Sequence, residues 1–102
     1  MCAPTDTRFT MPEVKKILIS AVDAHKAGNL AEAERLYRLI LKTNPHHCDA
    51  NHNLGVLAVS INKVHTALPL FKTALEANPK IEQFWLSYIG ALITEKQLDN
   101  AK

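Results

Sequence analysis

Residues 54–79, LGVLAVSINKVHTALPLFKTALEANP, contain small, aromatic and proline positions that recur elsewhere in the chain at one fixed interval, the distance from Ala33 to Ala67. When the sequence is shifted by this interval, small residues fall on small residues and an aromatic residue falls on an aromatic one. Many matches at one shift indicate an internal repeat, in which one supersecondary unit is used more than once. The matched sets are Ala33, Ala67 and Ala101; Tyr37 and Phe71; Leu41 and Leu75; Leu30, Val64 and Leu98; and Asn44-Pro45 with Asn78-Pro79.

Each repeat is predicted to be a pair of antiparallel helices, because its apolar residues recur at helical spacing. Thr10 and Glu13 read as a capping box for the first helix, which Gly28 ends. Asn29 caps the second helix, and Asn44-Pro45 ends it because proline disfavours helix in the residue before it. Further helices are expected at about 48–61, 64–77 and 81–94, with a sixth beginning at Leu98.

The aromatic residues are assigned by the same repeat. Tyr37 and Phe71 lie one repeat interval apart and are predicted to be core residues between helices. Trp85 and Tyr88 are expected to continue that core into a third repeat. Phe84 does not fit the pattern and is expected at an exposed edge.

This pattern, with a period of about 34 residues, resembles the tetratricopeptide repeat. The second repeat matches the family pattern most fully. It has Leu54-Gly55, Ala58, Ala67, Phe71, Ala74 and Pro79 at the family's spacings. The first repeat departs from it, with Ile17 in place of the usual tryptophan and Ser20-Ala21 in place of Leu-Gly. The resemblance implies an all-α fold, a right-handed α-solenoid of antiparallel helix pairs with about two and a half repeats. An N-terminal arm at 1–11 would precede a repeat domain at 12–102, divided at about 14–47, 48–81 and an incomplete 82–102.

Composition excludes several classes of function. The 102 residues hold 12 Lys and Arg against 10 Asp and Glu, so the chain is no polycation and is not expected to bind nucleic acid. With three glycines it has no glycine-rich phosphate-binding motif. The apolar run at 17–22 is far shorter than the roughly 18 residues of a membrane span, so no membrane partner is expected. Two isolated cysteines, Cys2 and Cys48, are typical of a reducing compartment. The absence of an export signal favours the cytoplasm, unless the chain is an internal piece of an exported protein.

No catalytic, cofactor-binding or metal-binding residue is predicted. His46, His47, Cys48 and His52 are close in sequence, and Cys48 and His52 could reach one ion from a helix. His46 and His47 fall in a turn between repeats, however, and no third and fourth ligand is evident. A cysteine next to a histidine also lacks the orienting group and oxyanion site that catalysis needs. The chain is therefore expected to be no enzyme and to need no cofactor.

The resemblance implies that the first helix of each repeat lines a concave groove that binds a peptide. An alternative is that Leu18, Val22 and Val56 pack between neighbouring repeats instead. The predicted groove residues are Lys15, Leu18, Val22, His25 and Lys26 from the first helix; Asp49, His52, Asn53, Val56 and Val59 from the third; and Gln83, Leu86, Ser87, Gly90 and Ile93 from the fifth.

These residues also bear on the class of ligand. Family members that bind acidic chaperone tails use a clamp of Lys, Asn and Arg, of which only Asn53 has a counterpart here. Asn53 also resembles the asparagines that hold extended peptides in the helical arms of protein O-linked N-acetylglucosamine transferases. The rest of the groove is largely apolar, which favours a hydrophobic peptide or a partner helix.

Three functions therefore stand open. The first is a non-enzymatic protein–protein interaction module that binds a peptide or helix in its groove. The second is the N-terminal arm of a larger bacterial enzyme, such as a glycosyltransferase or sulfotransferase. The third is a self-assembling scaffold, in which two chains pair as a homodimer through the apolar residues of the incomplete third repeat.

Overall fold

The computed structural model describes residues 11–100, and the side chains of residues 12–97. Within this range the chain is all-helical, with five α-helices and no strand. Thr10, Ala101 and most of the predicted N-terminal arm lie outside the described residues. The helices are α1 (Met11–Lys26), α2 (Leu30–Thr43), α3 (Cys48–Ser60), α4 (Val64–Ala77) and α5 (Glu82–Asn100).

The turn from α1 to α2 and the turn from α3 to α4 have the same hydrogen bonds. Gly28, at φ 83°, and Asn62, at φ 62°, both adopt the left-handed conformation. In the first turn Asn29 N–H donates to the Ala24 carbonyl at 2.9 Å, and Gly28 N–H to the His25 carbonyl at 3.1 Å. This pair of bonds is the Schellman motif, which satisfies the last carbonyls of a helix. The same bonds recur one repeat later, from Lys63 to Ala58 at 2.8 Å and from Asn62 to Val59 at 3.0 Å.

The turn from α2 to α3 is likewise repeated between α4 and α5. Asn44 N–H donates to the Ile40 carbonyl at 2.9 Å, and Asn78 N–H donates to the Ala74 carbonyl at 3.0 Å. A proline follows each asparagine and prevents the helix from continuing. Both classes of turn therefore recur at the repeat interval that the sequence predicts.

The fifth helix differs from its prediction. It continues without a break to Asn100, so no separate sixth helix begins at Leu98 within residues 11–100. The physical reason is found one repeat after Gly28 and Asn62, where the chain has Lys96. Lysine rarely adopts the left-handed conformation that ends α1 and α3, and it is a good helix former.

The helices pack mainly against their neighbours in sequence, α1 against α2, α2 against α3, α3 against α4 and α4 against α5. Tyr37 is buried in a cluster with Ala21 and Ala33 that joins α1, α2 and α3. Phe71 occupies the equivalent place one repeat later, in a cluster with Ala58 and Ala67. Two of the buried clusters are thus similar, and each contains one aromatic ring at the equivalent place.

Gly55 is a point of close approach between α3 and α4. A Cβ added to Gly55 would lie 2.5 Å from Cε1 and 2.7 Å from Cδ1 of Phe71, closer than carbon atoms approach. The ring of Phe71 therefore rests directly on the backbone of α3. The corresponding residue one repeat earlier is Ala21, which lies in the same buried cluster as Tyr37.

Two aromatic predictions on α5 were wrong. Phe84 is buried, with 3% of its surface exposed, whereas Trp85 is 46% exposed. The helix docks through Phe84, Tyr88 and Ala91 onto α3 and α4. Trp85 faces away from that contact, and its indole N–H donates to the Pro79 carbonyl at 2.7 Å. In residues 11–100 no helix follows α5 to cover this side.

Gly55→Ala tests the close approach. In an unstrained helix this change stabilises by up to about 1 kcal/mol. At Gly55 we expect a loss of roughly 1–3 kcal/mol in the free energy of unfolding, because the added Cβ forces the Phe71 ring away from its contact with α3. Gly90→Ala is the matched control, since nothing lies within 4 Å of its added Cβ. Urea unfolding followed by circular dichroism measures both. Equal stabilisation by the two changes would show that Phe71 does not rest on Gly55.

Lys63→Asn tests the repeat of the helix caps. The Asn29 side chain accepts a hydrogen bond from Glu32 N–H at the start of α2, whereas Lys63, at the same place before α4, makes no side-chain cap. We expect the variant to stabilise the fold by roughly 0.5–1 kcal/mol, because asparagine is a better N-cap residue than lysine. Thermal unfolding is the measurement, with Lys63→Gln as the control for loss of charge. A gain shared equally by the glutamine variant would contradict the cap.

Candidate ligand-binding groove

Two open cavities lie along the face formed by α1, α3 and α5, and we call this face the groove. The first, the polar cavity, has a volume of about 210 Å³ and is lined by Val22, His25, Lys26, Tyr37 and Asn53. The second, the apolar cavity, has a volume of about 410 Å³. Its lining residues are Val56, Val59, Ser60, Phe71, Leu86, Ser87, Gly90, Ala91 and Thr94.

The two cavities are the same site used twice at the repeat interval. Every residue of the polar cavity has its counterpart in the apolar one. The pairs are Val22 with Val56, His25 with Val59, Lys26 with Ser60, Tyr37 with Phe71 and Asn53 with Ser87. The backbone arrangement is therefore shared, and the chemistry differs because four of the five paired residues differ in type.

The polar cavity has hydrogen-bonding groups and a positive charge. Tyr37 is almost fully buried, and its hydroxyl lies 3.3 Å from Nδ1 of His25, whose ring meets it edge-on. Burial raises the pKa of the Tyr37 phenol, so this group stays protonated and able to donate near neutral pH. Lys26 is exposed and Asn53 is half-buried. Together they can bind a carboxylate, a carbonyl group or a peptide amide.

The apolar cavity has a short side chain, Ala91, in its lining. Leu57 is buried in the Tyr37 cluster, and Ala91 stands at the equivalent place beside Phe71. The shorter side chain leaves space at the level of the Phe71 ring. Val56 and Leu86 stay exposed at the sides, so the cavity fits a large apolar side chain.

His52 lies beneath the groove instead of lining it. Its ring lies between Phe71, with centroids 5.5 Å apart, and Phe84, at 4.8 Å. Its Nε2 is 2.7 Å from the Ser87 hydroxyl, which joins α3 to α5. Burial lowers the pKa of His52, against a smaller opposing effect of Asn53 and Asp49. The ring is thus held as a neutral, largely structural group.

His47 has a structural task at the start of α3. Its Nδ1 accepts a hydrogen bond from Ala50 N–H at 3.1 Å, so the imidazole is the N-cap of this helix. Burial lowers the pKa of His47, and the nearby Asp49 opposes this shift less strongly. Asn51 fixes the same turn, donating to the carbonyls of Pro45 at 3.0 Å and His47 at 2.9 Å.

The structure brings nine of the fifteen predicted groove residues to the cavities. Lys15, Asp49, Gln83 and Ile93 are exposed elsewhere, Leu18 packs against the Tyr37 cluster and His52 is buried. The sequence analysis missed Tyr37, Phe71, Ser60, Ala91 and Thr94 as lining residues. The shared period of Tyr37 and Phe71 is the signal that could have found the cavity floors. The nine residues at the cavities are Val22, His25, Lys26, Asn53, Val56, Val59, Leu86, Ser87 and Gly90.

The cysteine prediction needs a correction. Cys48 is buried and disulfide-bonded, so it is not an isolated thiol, and the second cysteine, Cys2, lies outside the described residues. The cysteines consequently no longer favour a reducing compartment. In the described part of the chain, no three His, Cys, Asp or Glu side chains converge as a metal site would need. None of the described helices is both long enough and apolar enough to cross a bilayer.

A comparison with known protein families found no family model that matches the sequence.

Stability should depend on pH through His47 and His52. Both have a pKa below the ordinary value of about 6.5, so the unfolded chain binds more protons than the folded one in the window just below it. The free energy of unfolding should therefore be fully retained above about pH 6.5 and fall as pH drops through the lowered pKa values. Protonation also removes the acceptor that caps α3.

Urea unfolding between pH 5 and 7.5 measures this dependence. The double variant His47→Asn/His52→Leu should flatten the slope, because asparagine still caps α3 and neither replacement titrates. His46→Asn, at an exposed neighbouring position, controls for the removal of an imidazole. A double variant with the slope of the wild type would contradict the role of these two histidines.

Proposed function

We propose that the protein is a non-enzymatic interaction module of the tetratricopeptide-repeat type, which binds a peptide segment of another protein in its groove. The repeated turns at Gly28 and Asn62, and at Asn44 and Asn78, support an α-solenoid built from helix pairs. In such a fold each pair packs on the next and leaves one continuous face for a ligand.

The observation that carries the proposal is the pair of equivalent cavities on one face. A peptide lying across both would meet Lys26, Asn53 and the Tyr37 hydroxyl at one cavity and an apolar hole beside Phe71 at the other. The ligand we propose therefore has an acidic or hydrogen-bonding group followed or preceded by a large apolar side chain. An extended backbone also offers free amides to Asn53, which a helical ligand does not.

Ser87 and His52 resemble a nucleophile and its base, since their side chains are 2.7 Å apart. Two features favour a structural role instead. Gln83 Nε2 donates to the Ser87 hydroxyl at 3.3 Å, so this hydroxyl is part of a hydrogen-bond network on the surface of α5. Ser87 also lies within α5, where backbone N–H groups are committed to the helix and cannot form an oxyanion hole. The hydrogen bond between His52 and Ser87 therefore favours a structural role, joining α3 to α5, over a role in hydrolysis.

A matched pair of variants tests the groove. Val56 and Ile61 are each 38% exposed, but Val56 lines the apolar cavity and Ile61 lies at the end of α3, outside both groove cavities. We expect Val56→Lys to weaken peptide binding about tenfold or more, because a charge enters an apolar contact. Ile61→Lys should bind as the wild type does. The probes are peptides selected on the purified protein from a random twelve-residue display library, and calorimetry measures their affinity.

Asn53→Ala extends the same experiment to the polar cavity. It should weaken the selected peptides by roughly tenfold, since a hydrogen bond to a half-buried amide is lost. Equal loss for Val56→Lys and Ile61→Lys would contradict groove binding. Failure to select any peptide against the folded wild-type protein would do so as well.

A further inference from the structure

We propose that the exposed side of α5 pairs with the same helix of a second copy of this chain, in an antiparallel two-fold contact. Its central residues, Trp85, Ile89 and Leu92, lie outside the two groove cavities, whereas Leu86 at its side also lines the apolar cavity. The inference does not rest on the proposed function.

The contact surface is a stripe along one side of α5. Trp85, Ile89 and Leu92 follow one another at intervals of four and three residues, which places them on one face of a helix. Leu86 and Ile93 flank this line, and each of the five side chains is 43–56% exposed. A patch of this kind is larger and more continuous than the scattered apolar residues of an ordinary surface.

The internal repeat shows that this side of a helix is normally covered. Ile89 and Leu92 stand one repeat after Gly55 and Ala58, which face Phe71 of α4. Gly55 leaves room for an aromatic ring, whereas Ile89 fills that room. The stripe therefore offers its occupant a flat aliphatic seam and no space for an aromatic ring against the backbone.

The charges at the two ends of the stripe identify that occupant as a second copy. Glu82 precedes Trp85 by three residues, and Lys96 follows Leu92 by four, so both continue the same line. Both are exposed, and neither forms an ion pair with another described residue. Glu95 does not neutralise this end, because its carboxylate is turned toward α4 and lies 2.8 Å from Nδ1 of His65.

An antiparallel pair centred on Ile89 is complementary to itself. Ile89 then meets Ile89 of the copy, Trp85 faces Ile93, Leu86 faces Leu92 and Glu82 faces Lys96. The Glu82–Lys96 ion pair then occurs twice in the dimer, because two-fold symmetry repeats every contact of an isologous interface. A parallel pair would instead bring Glu82 against Glu82 and Lys96 against Lys96. The sequence of charges therefore favours the antiparallel arrangement.

The area fits a weak dimer. The five side chains leave on the order of 500 Å² exposed per chain, so a symmetric pair hides about 1,000 Å², near the lower bound of specific interfaces. We expect the wild-type protein to be a reversible dimer at tens to hundreds of micromolar. Added salt should weaken the dimer moderately, because the end charges are exposed and readily screened.

A charge-swap experiment tests both the surface and its direction. Sedimentation equilibrium of the full chain is measured at low salt for the wild type, Glu82→Lys, Lys96→Glu and a one-to-one mixture of these two variants. Each variant alone places like charges at both ends and should raise the dimer dissociation constant about tenfold. The mixture should restore dimers, because each chain then supplies the charge that the other lacks. Glu76→Lys, an exposed charge reversal on α4, is the control.

A second variant tests the apolar centre. Ile89→Lys places two positive charges on the two-fold axis and should abolish dimers, while thermal unfolding confirms that the variant is folded. A wild type that stays monomeric at several hundred micromolar would overturn the proposal. A dimer that Ile89→Lys leaves intact would overturn it too, and so would single charge variants that dimerise as strongly as the wild type.

Discussion

The contact of the Phe71 ring with the backbone at Gly55 is the constraint on which the rest of the structure depends. It sets the distance between α3 and α4 and is available only because Gly55 has no side chain. The same register, with Ala21 and Tyr37, joins α1 and α2 one repeat earlier. The turns within the two helix pairs recur at the same interval as these rings, with equivalent hydrogen bonds at Gly28 and Asn62.

The same two rings form the floors of both cavities in the groove. Because Tyr37 and Phe71 occupy equivalent places, the cavities inherit one geometry and differ only in the residues around them. A hydroxyl on one ring, a histidine in place of Val59 and a lysine in place of Ser60 make the first cavity polar. Val59, Phe71 and Leu86 make the second cavity largely apolar. Substitution within a repeat thus gives two cavities of different chemistry on one scaffold.

The sequence predicted most of the fold because its stop signals are local. Gly28 and Asn44-Pro45 act through their own backbone geometry, and the helices they end agree with the structure within one or two residues. The end of α5 was wrong because Lys96 stands where a left-handed residue was needed. The candidate site was less predictable, since the burial of His52 depends on how α5 turns Phe84 inward and Trp85 outward. That rotation is decided by tertiary packing and leaves no periodic signal.

Chemical-shift mapping of the backbone amides, with and without the tightest peptide from the display selection, tests the central claim most directly. A ligand that lies along the repeated cavities should shift amides beside both of them, including those of Val22, Asn53, Val56 and Ser87. The outer face of α2, where Arg35, Leu39 and Lys42 line a separate depression, should stay unchanged. Shifts concentrated on that outer face, or confined to one of the two cavities, would contradict a groove that binds one peptide across both repeats.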